Sequence, residues 1–206
     1  MRDITIYVLT HKKFDCPDDD IYKPLLNGSA SQSEDFGYLR DDTGENISNL
    51  NEYYAELTGQ YWAWKNSTTE IIGFCHYRRY FAKNMFLKIL DYEDIDKIMS
   101  THDIILPNSI RMGMPHKKEI EISYRDSNTG PKIDEYSKLR KVIEEYHPEY
   151  LNEYDQVLNE KEGYFFNMFI CKKELAMITL NGFLTYWTRL KMRLIIPNIQ
   201  KVKKEF

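Results

Sequence analysis

Ile71-Ile72-Gly73-Phe74-Cys75-His76-Tyr77-Arg78-Arg79-Tyr80-Phe81 is the stretch on which the reading of this chain turns. Its first five residues form an apolar run without polar alternation, the pattern of a strand buried on both faces. The run ends in a histidine and two arginines set among aromatic rings. In open α/β sheets, ligands bind beyond the carboxyl ends of strands. Two guanidinium groups and an imidazole at such a place suit a multiply charged anion, such as a diphosphate. The plainer alternative is a strand end with solvated arginines.

Working outward, residues 4–9 (Ile4-Thr5-Ile6-Tyr7-Val8-Leu9) read as a first buried strand, with the polar cluster Thr10-His11-Lys12-Lys13 at its carboxyl end. Asp103-Ile104-Ile105-Leu106-Pro107 reads as a further strand ended by proline, and residues 163–171 as another. Helical spacing of Tyr54, Leu57, Tyr61 and Trp64 predicts a helix over 52–66 with Asn51 as its cap. Further helices are predicted over 91–100, 134–146, 148–159 and from 172 to about 187. Residues 14–37, rich in Asp, Pro, Gly, Ser and Asn, read as a long loop that turn chemistry carries on to Ser48. Residues 108–131 read as an irregular substrate loop or lid. Strands alternating with helices give an α/β domain with a mostly parallel central sheet, in which 4–9, 71–75 and 103–106 are neighbours.

The 206 residues, 42% hydrophobic and 14% aromatic, suffice for one folded domain with a sizeable core. No leader or membrane-spanning run is read at the N-terminus or elsewhere, which predicts a cytoplasmic protein. Cys16, Cys75 and Cys171 are odd in number, far apart and without metal spacing, so they are expected as plain thiols in a reducing compartment. The formal net charge is −4, yet from Gly182 to Phe206 six basic residues stand against one acidic, Glu205. An acidic body with a basic, apolar tail is not the footprint of a nucleic-acid binder. Residues 183–206 are accordingly set apart from a 1–182 domain. They form either an ordinary terminal helix or a peripheral contact with an anionic membrane face.

Single residues leave alternatives open. His11 is a ligand contact or a strand-end polar residue. Asp41-Asp42 suits a magnesium site or, flanked by glycines, a turn that bonds its own backbone. His102 and His147 read as caps and surface residues, and His116 as a candidate within the irregular loop. The chain holds no Gly-rich phosphate loop, dinucleotide fingerprint or nucleophile elbow, which disfavours P-loop enzymes, dehydrogenases and serine hydrolases.

Several blocks then carry a resemblance. In order they are Thr10-His11-Lys12; Gly37-Tyr38-Leu39-Arg40-Asp41-Asp42-Thr43-Gly44-Glu45-Asn46-Ile47-Ser48; Glu56-Leu57-Thr58 with Tyr61-Trp62-Ala63-Trp64-Lys65-Asn66; Gly73-Phe74 with His76-Tyr77-Arg78-Arg79-Tyr80-Phe81; and Phe166-Asn167-Met168-Phe169-Ile170 with Lys172-Lys173-Glu174. This succession resembles a bacterial domain family of unknown function, number 4422, whose members sit among capsular and exopolysaccharide synthesis proteins. They are treated as glycosyltransferases of the Rossmann-like GT-A type. The resemblance ends near residue 175; the family's later Tyr-Gln-x-Arg-like and Gly-Phe-x-x-Glu-Arg-like stretches do not follow Trp187, as in a truncated or diverged member.

The resemblance implies a hexosyltransferase-type enzyme with a nucleotide-sugar donor, in the first place a UDP-sugar, and an oligosaccharide or lipid-linked acceptor. Thr10, His11 and Lys12 would meet the nucleotide, Arg40, Asp41 and Asp42 the ribose and sugar side, and His76, Arg78 and Arg79 the diphosphate. Asn167 would face the acceptor or transferred sugar. An inverting member needs a carboxylate base, for which Glu162 is the candidate by position. Where GT-A enzymes carry Asp-x-Asp and a divalent metal, this chain has His76-Tyr77-Arg78. The basic groups are therefore expected to replace the metal, with no cofactor required. The alternative is a non-catalytic, degenerate nucleotide- or carbohydrate-binding module.

Overall fold

The computed structural model describes residues 1–83, 88–111, 135–178, 180 and 182. Strand β1 (Ile4–Thr10) is buried at every residue but Thr5. Strand β2 (Tyr22–Leu26) pairs parallel to it from Ile6↔Tyr22 to Thr10↔Leu26. The short β3 (Leu39–Arg40) continues the parallel set beside Leu25 and Leu26. On the other side of β1, strand β4 (Ile71–His76) pairs parallel from Ile4↔Ile71 to Leu9↔His76.

Helices α1 (Asn51–Tyr54) and α2 (Leu57–Asn66) connect these halves. The single helix predicted over 52–66 is broken at Ala55, whose φ of 47° and ψ of −126° lie outside helical space. Asn51 does not cap the helix. Its amide donates to the Ala55 carbonyl at 2.7 Å and to Thr58 Oγ1 at 3.0 Å, bracing the break. After β4 come an antiparallel pair, β5 (Ala82–Lys83) and β6 (Lys88–Ile89), and helix α3 (Tyr92–Met99). Asp91 caps α3 by accepting from Asp94 N at 3.0 Å, while Asp94 returns the bond to Asp91 N.

Strand β7 (Ile104–Ile105) follows, then β8 (Ile110–Arg111), helices α4 (Glu135–Tyr146) and α5 (Leu151–Asn159), and strands β9 (Glu162–Gly163) and β10 (Phe169–Lys172). Helical residues resume at 173–178. The six-stranded sheet runs β3-β2-β1-β4-β10-β7. The fold is mixed α/β with a mostly parallel central sheet and flanking helices.

One expectation is corrected here. The strand at 103–106 is not a neighbour of the one at 71–75, because β10 lies between them, antiparallel to both. Of the 163–171 run, Phe169 to Lys172 enters that sheet and Glu162–Gly163 pairs elsewhere. Gly73 explains how β10 fits so closely: a Cβ there would meet Ile6 Cδ1 at 2.5 Å and Ile170 Cγ1 at 2.8 Å. A second correction concerns residues 14–37, where β2 replaces loop. Pro24 disguised it; β3 pairs only from Leu25 onward, so the strand has a free edge at Pro24, where a missing N–H is tolerated.

The described residues pack as two units, one from residues 1–108 and 164–180, the other from residues 109–163. The first holds the sheet and a core that includes Ile6, Val8, Ile71, Cys75, Ile95 and Ile170. In the second, α4 and α5 are tied by a two-pronged Arg140–Asp155 pair at 2.9 and 2.8 Å and by Tyr154 Oη donating to Tyr136 O. His116, most of the predicted 108–131 loop and the 183–206 tail lie outside the described residues. No helix among those described is long and apolar enough to cross a membrane.

Candidate functional site

Four parallel strands end on one edge of the sheet, and β10 begins there. Their turns are stitched together by main-chain bonds. Asn27 N donates to Thr10 O at 2.8 Å, and Tyr77 N donates to Leu9 O at 3.2 Å. Thr10 is buried. Its hydroxyl donates to Lys12 O at 2.7 Å and accepts from Lys12 N at 3.1 Å, closing a small turn that presents His11 and Lys12 outward. Thr10 therefore shapes the edge more than it lines it.

His76 to Arg79 form a tight turn, with His76 N donating to Arg79 O and Arg79 N to His76 O. Tyr77 becomes a ring around which cations gather. Lys12 Nζ lies 5.3 Å and Arg78 Cζ 4.9 Å from its centroid, and the His11 ring meets it edge-on at 5.4 Å. Arg79 lies over the Phe166 ring at 4.2 Å. The contrast with the other described arginines is informative. Arg2, Arg40, Arg111 and Arg140 each face a carboxylate. Arg78 and Arg79 rest on aromatic faces and, among the described residues, have no acidic partner. Guanidinium groups kept clear of carboxylates at a strand end are free to take a bidentate anion.

His76 is placed differently from expectation. Its Nε2 bonds the Phe166 carbonyl at 2.7 Å. A carbonyl only accepts, so that nitrogen carries the proton, and the imidazole holds the 164–168 turn at the edge. That turn is strained, with left-handed φ of 74° at Phe166 and 51° at Asn167. Three bonds secure it: the His76 contact, Gln60 Nε2 donating to Asn167 O at 2.9 Å, and Asn167 Nδ2 donating to Glu56 Oε1 at 2.9 Å. Strain of this kind persists where surrounding structure over-determines it, and it clusters at functional sites.

The Asp41-Asp42 pair divides its labour. Asp41 is completely buried, and its carboxylate accepts from Gly28 N at 2.8 Å, Ser29 N at 2.9 Å, Ser29 Oγ at 2.8 Å and Ser48 Oγ. It is an internal anchor for the β2 and β3 turns and does not line a sugar subsite. Gly28 has a φ of 65°, and a Cβ on it would meet Asn51 Cγ at 2.6 Å, so glycine alone suits this corner. Asp42 accepts from Arg40 Nε at 3.2 Å and Nη2 at 2.9 Å. Those bonds hold its carboxyl below the usual carboxylate range. With one carboxylate enclosed by four donors and the other clasped by a guanidinium, the pair does not fit a magnesium site. No group of three or more His, Cys, Asp or Glu among the described residues is placed to hold a metal.

Glu162 belongs to the second unit. Its carboxylate accepts from Ser109 Oγ at 3.0 Å and lies 3.5 Å from Arg111 Nε. His102 is exposed at the end of α3, within 2.9 Å of Thr101 Oγ1, and His147 pairs with Glu149 at 3.1 Å. Sequence reasoning missed Ser29, Ser48, Glu56 and Gln60. Ser29 follows a strand hidden by Pro24, Ser48 shows its role only once Asp41 turns inward, and Glu56 and Gln60 reveal themselves only through Asn167, distant along the chain.

The fold recurs in a solved apo structure of a bifunctional glycosyltransferase, WbbM. The two superpose with a TM-score of 0.85 at 27% sequence identity, over 96% of this chain and 39% of that one. The chain therefore spans well under half the length of that protein. A comparison with curated proteins returns no match. Residues 5–181 match the family described as domain of unknown function DUF4422, which takes in both strand-end turns and the strained 164–168 turn. This chain belongs to that DUF4422 family.

Proposed function

We propose that this chain is a glycosyltransferase domain of the GT-A type, transferring a hexose from a nucleotide-sugar, in the first place a UDP-sugar, to an oligosaccharide or lipid-linked acceptor in capsular or exopolysaccharide synthesis. The observation that carries it is the pair Arg78 and Arg79, which have no carboxylate partner among the described residues, at the carboxyl edge of the parallel strands. A diphosphate leaving group gains charge as the glycosidic bond breaks, and fixed cations at that point stabilise the transition state more than the ground state. Lys12 and His11, gathered on the same Tyr77 ring, extend the positive field toward the nucleotide. Arg40 with Asp42 lies on the ribose and sugar side, and Asn167 on the acceptor side. The likeness to part of a bifunctional glycosyltransferase supports this chemistry.

The basic edge stands in for the metal of Asp-x-Asp enzymes. A panel of UDP-hexoses, assayed for UDP release with excess EDTA and with added magnesium or manganese, tests the proposal. UDP release undiminished by EDTA is expected. Release that needs the added metal contradicts the metal-free clamp, and binding of UDP without any turnover leaves a nucleotide-binding module in place of an enzyme.

A further inference from the structure

Three non-glycine residues among those described have a positive φ: Ala55 at 47°, Phe166 at 74° and Asn167 at 51°. All three converge on one contact. Ala55 directly precedes Glu56, and Asn167 holds Glu56 Oε1 through Nδ2 at 2.9 Å. Phe166 is in turn fixed by His76 through its carbonyl and covered by Arg79 on its ring. The pairing thus joins a carboxylate on the helix side of the edge to the arginine side through strained backbone on both halves. Strain maintained on both sides of one hydrogen bond points to a position that the fold is built to keep.

Glu56 also keeps one carboxylate oxygen without a hydrogen-bond partner among the described residues. Asp41 is enclosed by backbone and hydroxyl donors, and Asp42 is clasped by Arg40. Glu56 stands at the N-terminus of α2 yet makes no side-chain bond to its own helix. The described partner of its carboxylate is a neutral amide, which orients one oxygen and leaves the other to accept a proton. Glu162, the candidate by sequence position, has its carboxylate engaged by Arg111 and Ser109.

We propose that Glu56 is the base that takes the proton from the acceptor hydroxyl, with Asn167 as its positioning residue; this rests on the glycosyl-transfer reading above. The hydroxyl proton passes to the free oxygen of Glu56 as the hydroxyl oxygen forms a bond to the anomeric carbon. The bond from that carbon to the diphosphate breaks, and its electron pair leaves with the nucleoside diphosphate, whose new charge falls toward Arg78 and Arg79. The displacement is in line and inverts the anomeric centre.

The test uses the full chain and UDP-hexoses with water as acceptor, following UDP release, with UDP affinity measured by calorimetry on the same samples. Glu56→Gln keeps an oxygen for the Asn167 bond but cannot take a proton. It is expected to keep its UDP affinity and thermal unfolding profile while losing about a hundredfold or more in turnover. Glu56→Ala is expected to regain turnover with added formate, which a purely structural role would not produce. A Glu56→Gln variant that turns over at the wild-type rate overturns the assignment. So does a folded variant that loses UDP affinity in step with turnover, because Glu56 would then serve the donor. A wild type that binds UDP without releasing it from any UDP-hexose overturns the base while sparing the nucleotide site. A wild type that does not bind UDP at all overturns the glycosyl-transfer reading first.

Discussion

At the scale of single residues, two adjacent aspartates show how burial decides role. Asp41 satisfies buried donors from Gly28, Ser29 and Ser48, whereas Asp42 makes a half-buried pair with Arg40. Each buried donor left unpaired costs about 1–3 kcal/mol. Asp41→Ala is therefore expected to destabilise the fold by about 3–5 kcal/mol, and Asp42→Ala by about 1 kcal/mol, the upper range of a partly exposed pair. Urea unfolding of both variants measures the difference, and equal midpoints would contradict the division. The sequence offered both aspartates as one motif, since a Gly-flanked Asp-Asp carries no mark of which side chain turns inward. The information sits in Ser29 and Ser48, which the fold brings together. Glu56 was hidden for the same reason: its partner Asn167 is 111 positions away.

At the scale of elements, β4 and its turn were legible. A run buried on both faces and ended by charged residues admits few other readings, and the strand is observed at Ile71–His76. Strand order was not legible, because the apolar runs at 71–75, 104–105 and 169–171 look alike and periodicity says nothing about which lies beside which. Gly73 is where that order is enforced. A Cβ there collides with Ile6 and Ile170, so Gly73→Ala is expected to cost about 1–3 kcal/mol as an overpacked core does. An unchanged thermal midpoint would show that the sheet yields there. Helix α3 supplies a pH-dependent counterpart. The Lys88 bond, with the cap bond from Asp94 N, pulls the Asp91 carboxyl down to about 2. A depressed folded value stabilises above the unfolded carboxylate value, about 3.9, and that stability is lost as pH falls toward the folded one. The stability gap between wild type and Asp91→Asn should thus be full at pH 5 and close as pH falls from about 4 to about 2. A gap that stays constant over that window would contradict the cap electrostatics.

At the scale of the whole molecule, a sheet of parallel strands with one antiparallel insertion presents its turns on a single edge, and that edge gathers Thr10, His11, Lys12, Arg40, Asp41, Asp42, His76, Arg78, Arg79 and Asn167, whereas Glu162 and His147 belong to the second unit and His102 ends α3. The α/β class could be read from the apolar runs, and the charged residues that end them marked out the candidate site. The inward turn of Asp41, the engagement of His76 by Phe166 and the bracing of Asn167 by Glu56 depend on long-range packing and could not. The central claim is that Arg78 and Arg79, without an acidic partner among the described residues, receive a diphosphate. A charge-assisted hydrogen bond contributes about 1.5–3 kcal/mol, roughly ten- to hundredfold in affinity. The measurement is calorimetry of UDP binding to wild type and Arg78→Ala in EDTA. A fall in affinity of about ten- to hundredfold in a variant that unfolds like the wild type is the predicted result; an unchanged dissociation constant would contradict the account.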